Sequence, residues 1–286
     1  QAMSNAVQKS QLDDLIAKTL ELPVLPATTQ KVLGIMADPD VSIEKIKRLI
    51  STDPALTAKI LKVANSAFYG SYRNIQNLSQ AILRLGLNAV RNMVVATSMK
   101  NVYKRFGLAE KLIWEQMLGS ALASSVIARQ SRLVDPEDAF IGGLLHDIGK
   151  VVVNNEFPEK FAKVMERVYN EQVSFEVAEQ AVFEFTQREV GAFVVKKWGF
   201  PENLEFLIRY FDDKDAMSRD KQLANLVAII ALSDRMCQKF GMGWRNTGDN
   251  EVSFGNLPEV LGFDEASMPE LMQNVKTAFE QGSDIY

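Results

Sequence analysis

The chain has 286 residues, 47% of them hydrophobic, enough for one large or two modest domains with a substantial core. A net charge of −4 and a pI of about 5.3 argue against a nucleic-acid binder on bulk electrostatics. The single cysteine, Cys237, excludes an internal disulfide and suits a reducing, cytoplasmic setting, and the longest apolar run, Leu226 to Leu232, is too short to span a bilayer.

In chain order the pattern is helical nearly throughout. Residues 1–20 are polar and lack the apolar stretch of a signal peptide. Leu22-Pro23-Val24-Leu25-Pro26 reads as a rigid entry loop. Ser42 caps a predicted helix with Ile43, Ile46, Leu49 and Ile50 on one face, and Asp53-Pro54 starts another that carries Leu56, Ile60, Val63 and Ala67. A loop with Gly70 is expected over Tyr69 to Asn77. Further helices are predicted over Asn88–Tyr103, Leu112–Gln130, Pro136–Val153, Phe157–Tyr169, Arg188–Trp198, Glu202–Phe211 and Lys221–Phe240. Gly241 to Gly255 reads as a loop, followed by a short helix from Ser267 to Gln281. No alternating strand and no hairpin turn is evident, so the class is all-α.

Charge is unevenly spread. Between Val41 and Glu110, eleven Lys/Arg oppose Glu44, Asp53 and Glu110, giving +8 and leaving −12 for the rest. Such a basic front half either attracts an anionic partner or consists of ordinary solvated helix faces. Arg84 and Arg91, around Leu85-Gly86-Leu87, either hold a phosphate or acidic side chain or pair with internal carboxylates such as Asp53. Asn65-Ser66 with Gly70 suits a capped turn, or else presents Phe68 and Tyr69 to a partner. The stripe Met93, Val94, Ala96, Thr97 and Met99 reads as core or interface.

The one histidine lies in Gly142-Gly143-Leu144-Leu145-His146-Asp147-Ile148-Gly149-Lys150. A His-Asp pair at the inner edge of a bundle can ligate iron, manganese or a similar divalent ion, which would make a water nucleophilic, and Lys150 could neutralise a phosphate. The remaining donor is Asp234, a carboxylate that interrupts the apolar helix around Leu226–Leu232. It is either a third metal ligand or a member of an ion pair or hydrogen-bond network, since an unpaired buried charge is costly. His146 has the same two readings. Such a metal site normally needs several imidazoles, and this chain can supply one.

These segments resemble the HDOD family, a bacterial signalling domain related to the HD and HD-GYP phosphohydrolases. The resemblance spans residues 12–240. It rests on residues 22–26, Asp53 to Leu61, Ala64 to Gly70, Ala81 to Gly86, Gly142 to Lys150, Glu189 to Ala192, Trp198 to Pro201 and Ser233-Asp234. It implies an N-terminal helical part over 12–106 and a degenerate HD part over 107–240, with a seam near Phe106-Gly107, leaving 241–286 as a C-terminal loop and short helix. Aligned on catalytic relatives, expected histidines fall at Gln116 and Gln187, and a histidine pair at Phe211 and Asp212; the Gly-Tyr-Pro motif is absent.

The resemblance therefore implies a non-catalytic signal-transduction module that binds a regulatory or signalling protein. No membrane contact is expected, and nucleic acid is not expected as a partner. A phosphate-containing ligand, such as a second messenger that controls the binding, is admitted beside the protein partner. No cofactor is expected except one divalent ion at low occupancy on His146, Asp147 and Asp234. The alternative function is a metal-dependent phosphohydrolase with a reduced site, acting on a nucleotide or phosphomonoester. The chain carries no receiver, diguanylate cyclase or kinase signature, which predicts that input arrives from a separate protein.

Overall fold

A computed structural model describes residues 12–36, 38, 40–70, 74–211, 221–243 and 252–282. Regular structure among these residues is entirely helical. The N-terminal part contains α1 (12–19), α2 (Ala27–Met36), α3 (Ile43–Ser51), α4 (Pro54–Ala64), α5 (Leu78–Leu85) and α6 (Leu87–Ser98). The central part contains α7 (Leu108–Ser131), α8 (Pro136–Leu145), α9 (Ile148–Glu156), α10 (Pro158–Glu171), α11 (Phe175–Gln180), α12 (Gln187–Lys197), α13 (Glu202–Tyr210) and α14 (Lys221–Phe240). Two more helices follow, α15 (Leu257–Val260) and α16 (Met268–Gly282).

Local chemistry sets the helix starts. Ser42 Oγ accepts the Lys45 N–H at 3.2 Å, and Asp53 Oδ1 accepts the Leu56 N–H at 2.9 Å with Pro54 in the first turn. Thr186 and Glu189 form a reciprocal capping box that fixes the start of α12. Asn65 ties the turn after α4: its Nδ2 donates to the carbonyls of Leu61 and Ile75, both at 2.8 Å, and its Oδ1 accepts the Ile75 N–H at 2.7 Å.

Two apolar clusters form. The smaller runs from Val32 to Val94 and is closed by α2 to α6. The larger takes in α1, the end of α6 from Val95 onward, and α7 to α16. The packing thus divides within α6, while Gly107 immediately precedes α7, where its N–H is held by the Glu110 carboxylate at 2.8 Å. Side chains cross between the halves. Phe68 is buried at 6% exposure, 6.3 Å from the Phe140 ring and 5.0 Å beneath the Arg129 guanidinium. Buried Asn92 of α6 donates to the Glu137 carbonyl and carboxylate in α8. Residues 252–282 add to the larger core, with Leu271, Val275 and Phe279 buried and α16 packed along α7.

Several helix bounds differ from the sequence expectation; the helix from Asp53-Pro54, expected to carry Ala67, ends at Ala64, and Ala67 starts a separate 3-10 turn. The helix expected over Asn88–Tyr103 ends at Ser98 and continues as a short 3-10 turn, Met99–Val102. The loop expected over 241–255 lies partly outside the described residues, which omit 244–251. The continuous helix expected over Pro136–Val153 is broken at His146-Asp147, where Asp147 has φ −106 and ψ 14. Close approaches on either side explain this break. A Cβ on Gly143 would strike the Ser120 backbone of α7, and one on Gly149 would overlap the Gln187 carbonyl oxygen of α12. Two helices are therefore pulled against the chain within seven residues, and the bend lets both fit.

Candidate functional site

The break lies where α7, α12 and α14 converge. Those helices deliver Gln116, Gln187 and Asp234 to the His146-Asp147 pair; Gln116, Gln187, Asp147 and Asp234 line one cavity of about 350 Å³. Lys150, Glu179, Arg188 and Phe211 line it too. His146 itself is wholly buried behind them.

The His146 ring sits between fixed acceptors. Nδ1 lies 2.6 Å from the Gly143 carbonyl, so it carries the proton and donates. Nε2 then faces Asp234 Oδ1 at 3.3 Å and Asp147 Oδ2 at 3.5 Å. A bare Nε2 lone pair opposite two carboxylate oxygens is repulsive, so the position requires a cation, which is either a proton on the ring or a metal ion. Burial lowers the His146 pKa, but Asp147, Asp234 and the Gly143 carbonyl together hold it above the ordinary histidine value. Phe211 packs edge-on against the ring at 5.2 Å and carries the Arg188 guanidinium 4.7 Å above its own face.

Both carboxylates are engaged by the chain itself. Lys150 Nζ lies 2.8 Å from Asp147 Oδ2 and 4.6 Å from the Phe175 ring centroid. Gln116 Nε2 donates to Asp234 Oδ1 at 2.5 Å, and Gln238 Nε2 donates to Asp234 Oδ2 at 2.9 Å. Burial raises the Asp234 pKa, but hydrogen bonds and charge from His146, with Lys150 and Gln116, bring it below the usual aspartate value.

His146, Asp147 and Asp234 offer three ligand atoms within 4.8 Å of one another. Asp147 Oδ1 is buried without a hydrogen-bond partner, which fits the site of a divalent ion. Nitrogen and carboxylate donors suit iron or manganese. The side-chain oxygens of Gln116 and Gln187 are likewise buried and unpartnered, so an additional donor entering the cavity would find acceptors waiting.

The other residues singled out from sequence lie elsewhere. Phe68 is buried between the two halves and presents no surface, and Tyr69 is half-buried against it, ring to ring at 5.0 Å. Arg84 is exposed on α5. Asp53, suggested as an arginine partner, caps α4 instead. Arg91 faces Asp138, Glu137 and Asp135 across a separate cleft, where burial pulls its pKa down against the raising effect of those three acids. Asp212 lies outside the described residues. Cys237 is buried behind the site beside Gly119, its thiol pKa raised well above normal by burial.

Some site residues were not anticipated, among them Arg188, Phe175, Glu179 and Gln238. Glu179 of α11 is buried and accepts the Gln187 N–H with both carboxylate oxygens at 3.1 Å. Gln238 stands one helical turn after Asp234, a spacing at which a polar pair could have been read from the sequence.

The chain resembles known proteins along most of its length. A curated Treponema pallidum protein of uncharacterized role is 26% identical over 269 residues, covering 91% of this chain and 50% of that protein. The chain thus spans about half the length of that relative. The crystal structure of an HDOD domain protein of unknown function from Geobacter sulfurreducens matches with a TM-score of 0.76 and 26% identity, covering 96% of this chain and 99% of that one. A candidate phosphohydrolase from Shewanella amazonensis matches with a TM-score of 0.74 at 21% identity over 96% of both chains, which speaks for the fold alone. A candidate signal transduction protein from Marinobacter aquaeolei does so with 0.72 at 20% identity, covering 98% of this chain and 64% of that one. No helix among the described residues is long and apolar enough to cross a membrane. The HDOD domain model matches residues 22–214, about two thirds of the sequence, and the chain belongs to the HDOD domain family.

Proposed function

We propose that this chain is a non-catalytic regulatory domain of signal transduction that acts by binding another protein, with its His-Asp centre kept as a structural core. One observation carries this reading. The only imidazole in the chain is buried, and the carboxylates beside it are already paired with Lys150 and with the Gln116 and Gln238 amides. An ammonium and two amides occupy carboxylate oxygens that a metal ion would otherwise coordinate, and none of the three activates a water. Membership in the HDOD family supports the signalling class.

A second reading has one specific observation in its favour. The orphaned Asp147 Oδ1, with His146 and Asp234, can hold a divalent ion, and a weak phosphohydrolase acting on a nucleotide or phosphomonoester would follow. The deciding experiment measures iron and manganese content in protein purified without chelator, together with hydrolysis of p-nitrophenyl phosphate and nucleotides, beside an Asp234→Ala control. The proposal expects no turnover above the control. Stoichiometric metal and turnover, both lost in the control, would overturn it.

A further inference from the structure

The segment that follows α14 builds a surface outside the 22–214 family match. Between the 254–265 stretch and the start of α16 lies an open groove of about 1,090 Å³. Its floor includes Phe254, Met268 and Met272, each half-buried, with Lys239 Nζ 5.4 Å from the Phe254 ring centroid. Among the described residues its rim carries exposed Glu259, Asp264 and Glu265 against two exposed cations, Lys276 and the Lys239 over Phe254, which leaves it net negative.

Three properties of this groove point to one kind of occupant. Its volume is at or above the roughly 300–1,000 Å³ of small-molecule sites, and it is open rather than enclosed, so a small ligand would leave much of it wet. Unbranched methionine side chains repack around different apolar shapes, as adaptable helix-binding surfaces do. A net negative rim favours a partner whose polar face is basic and disfavours one whose polar face is acidic. We infer that the groove lined by Phe254, Met268 and Met272 and rimmed by Glu259, Asp264 and Glu265 binds an amphipathic helix with a lysine- or arginine-rich polar face on a partner protein. This rests on the protein-binding reading above and names the chemistry of the partner. The helix would lay apolar residues at i, i+3/i+4 and i+7 onto the methionines and set its cations against the rim.

The test uses the full chain and two fluorescent synthetic helices, one of leucine and lysine and one of leucine and glutamate, titrated by polarisation. The lysine helix should bind about tenfold tighter than its glutamate twin, and less tightly as salt is raised. Met272→Ser should weaken it by about tenfold through loss of an apolar anchor. The double variant Glu259→Lys/Glu265→Lys, altered only at exposed positions, should reverse the preference between the two helices. Equal binding of both helices to both proteins, or lysine-helix binding indifferent to Met272→Ser, would overturn the groove assignment. Either result would leave the protein-binding reading standing, whereas metal-dependent turnover would remove that reading without bearing on the helix titration.

Discussion

Lys150 Nζ lies 2.8 Å from Oδ2 of Asp147, a carboxylate whose side chain is 1% exposed. The lysine therefore holds a position from which a metal ion would otherwise neutralise the same oxygen. Removing it leaves a buried acid without its cation, at a cost of about 3 kcal/mol. Lys150→Ala should lower the urea-unfolding free energy by that order. Added Mn²⁺ should raise the melting temperature of the variant more than that of the parent, because the ion replaces the lost charge. Equal shifts in both proteins would show that Asp147 does not bind the ion.

Gln116 and Gln187 occupy places where the family resemblance expects imidazoles, and both line the cavity with buried, unpartnered oxygens. Gln116→His/Gln187→His adds two nitrogen donors beside the existing three-donor cluster. The double variant should bind about one Mn²⁺ or Fe²⁺ per chain where the parent binds weakly. Metal analysis after equilibrium dialysis reads this directly. Unchanged metal content would mean that the two side chains cannot converge on His146 and Asp234.

Caps and periodicity were legible because they are local. Ser42 and Asp53 act on backbone three residues away, and the helices they start lie where the pattern puts them. The convergence of His146, Asp147 and Asp234 was also legible, because a carboxylate inside an apolar helix needs a partner and the chain has few to offer. The break at His146-Asp147 was not, because Leu144, Leu145, Ile148, Val151 and Val152 keep helical spacing straight through it. The bend comes from what Gly143 and Gly149 touch, the backbones of α7 and α12, and that information is tertiary. Arg91 likewise faces the acids of the α7–α8 corner, more than forty residues away in sequence, and nothing in its own segment names them.

Asn65 makes three hydrogen bonds through one side chain, and two of them satisfy both backbone groups of nearly buried Ile75. Asn65→Ala would strand that N–H and C=O at a cost of about 2–3 kcal/mol. Asn65→Asp keeps the acceptor and loses the donor, so it should fall between parent and alanine variant near neutral pH. Urea denaturation with a common m-value measures the order. An alanine variant as stable as the parent would show that water replaces the clasp without loss.

Glu179 gives the fold a pH dependence of known sign. Burial pushes its pKa up to about 8, although the Gln187 N–H and Lys150 favour the charged form. Between the unfolded value near 4.5 and the folded value, the native state holds a proton that the unfolded state has released. Stability contributed by this group is therefore complete below pH 4.5 and is lost as pH rises toward 8, at no more than about 1.4 kcal/mol per pH unit. Glu179→Gln keeps an oxygen to accept the Gln187 N–H and cannot ionise. The stability gap between variant and parent should then move in the variant's favour by up to about 2.5 kcal/mol between pH 5.5 and 7.5. Urea midpoints of the two proteins at both pH values measure it. A gap that stays constant would place the Glu179 pKa outside that window and remove the buried proton from the account of α11 and α12.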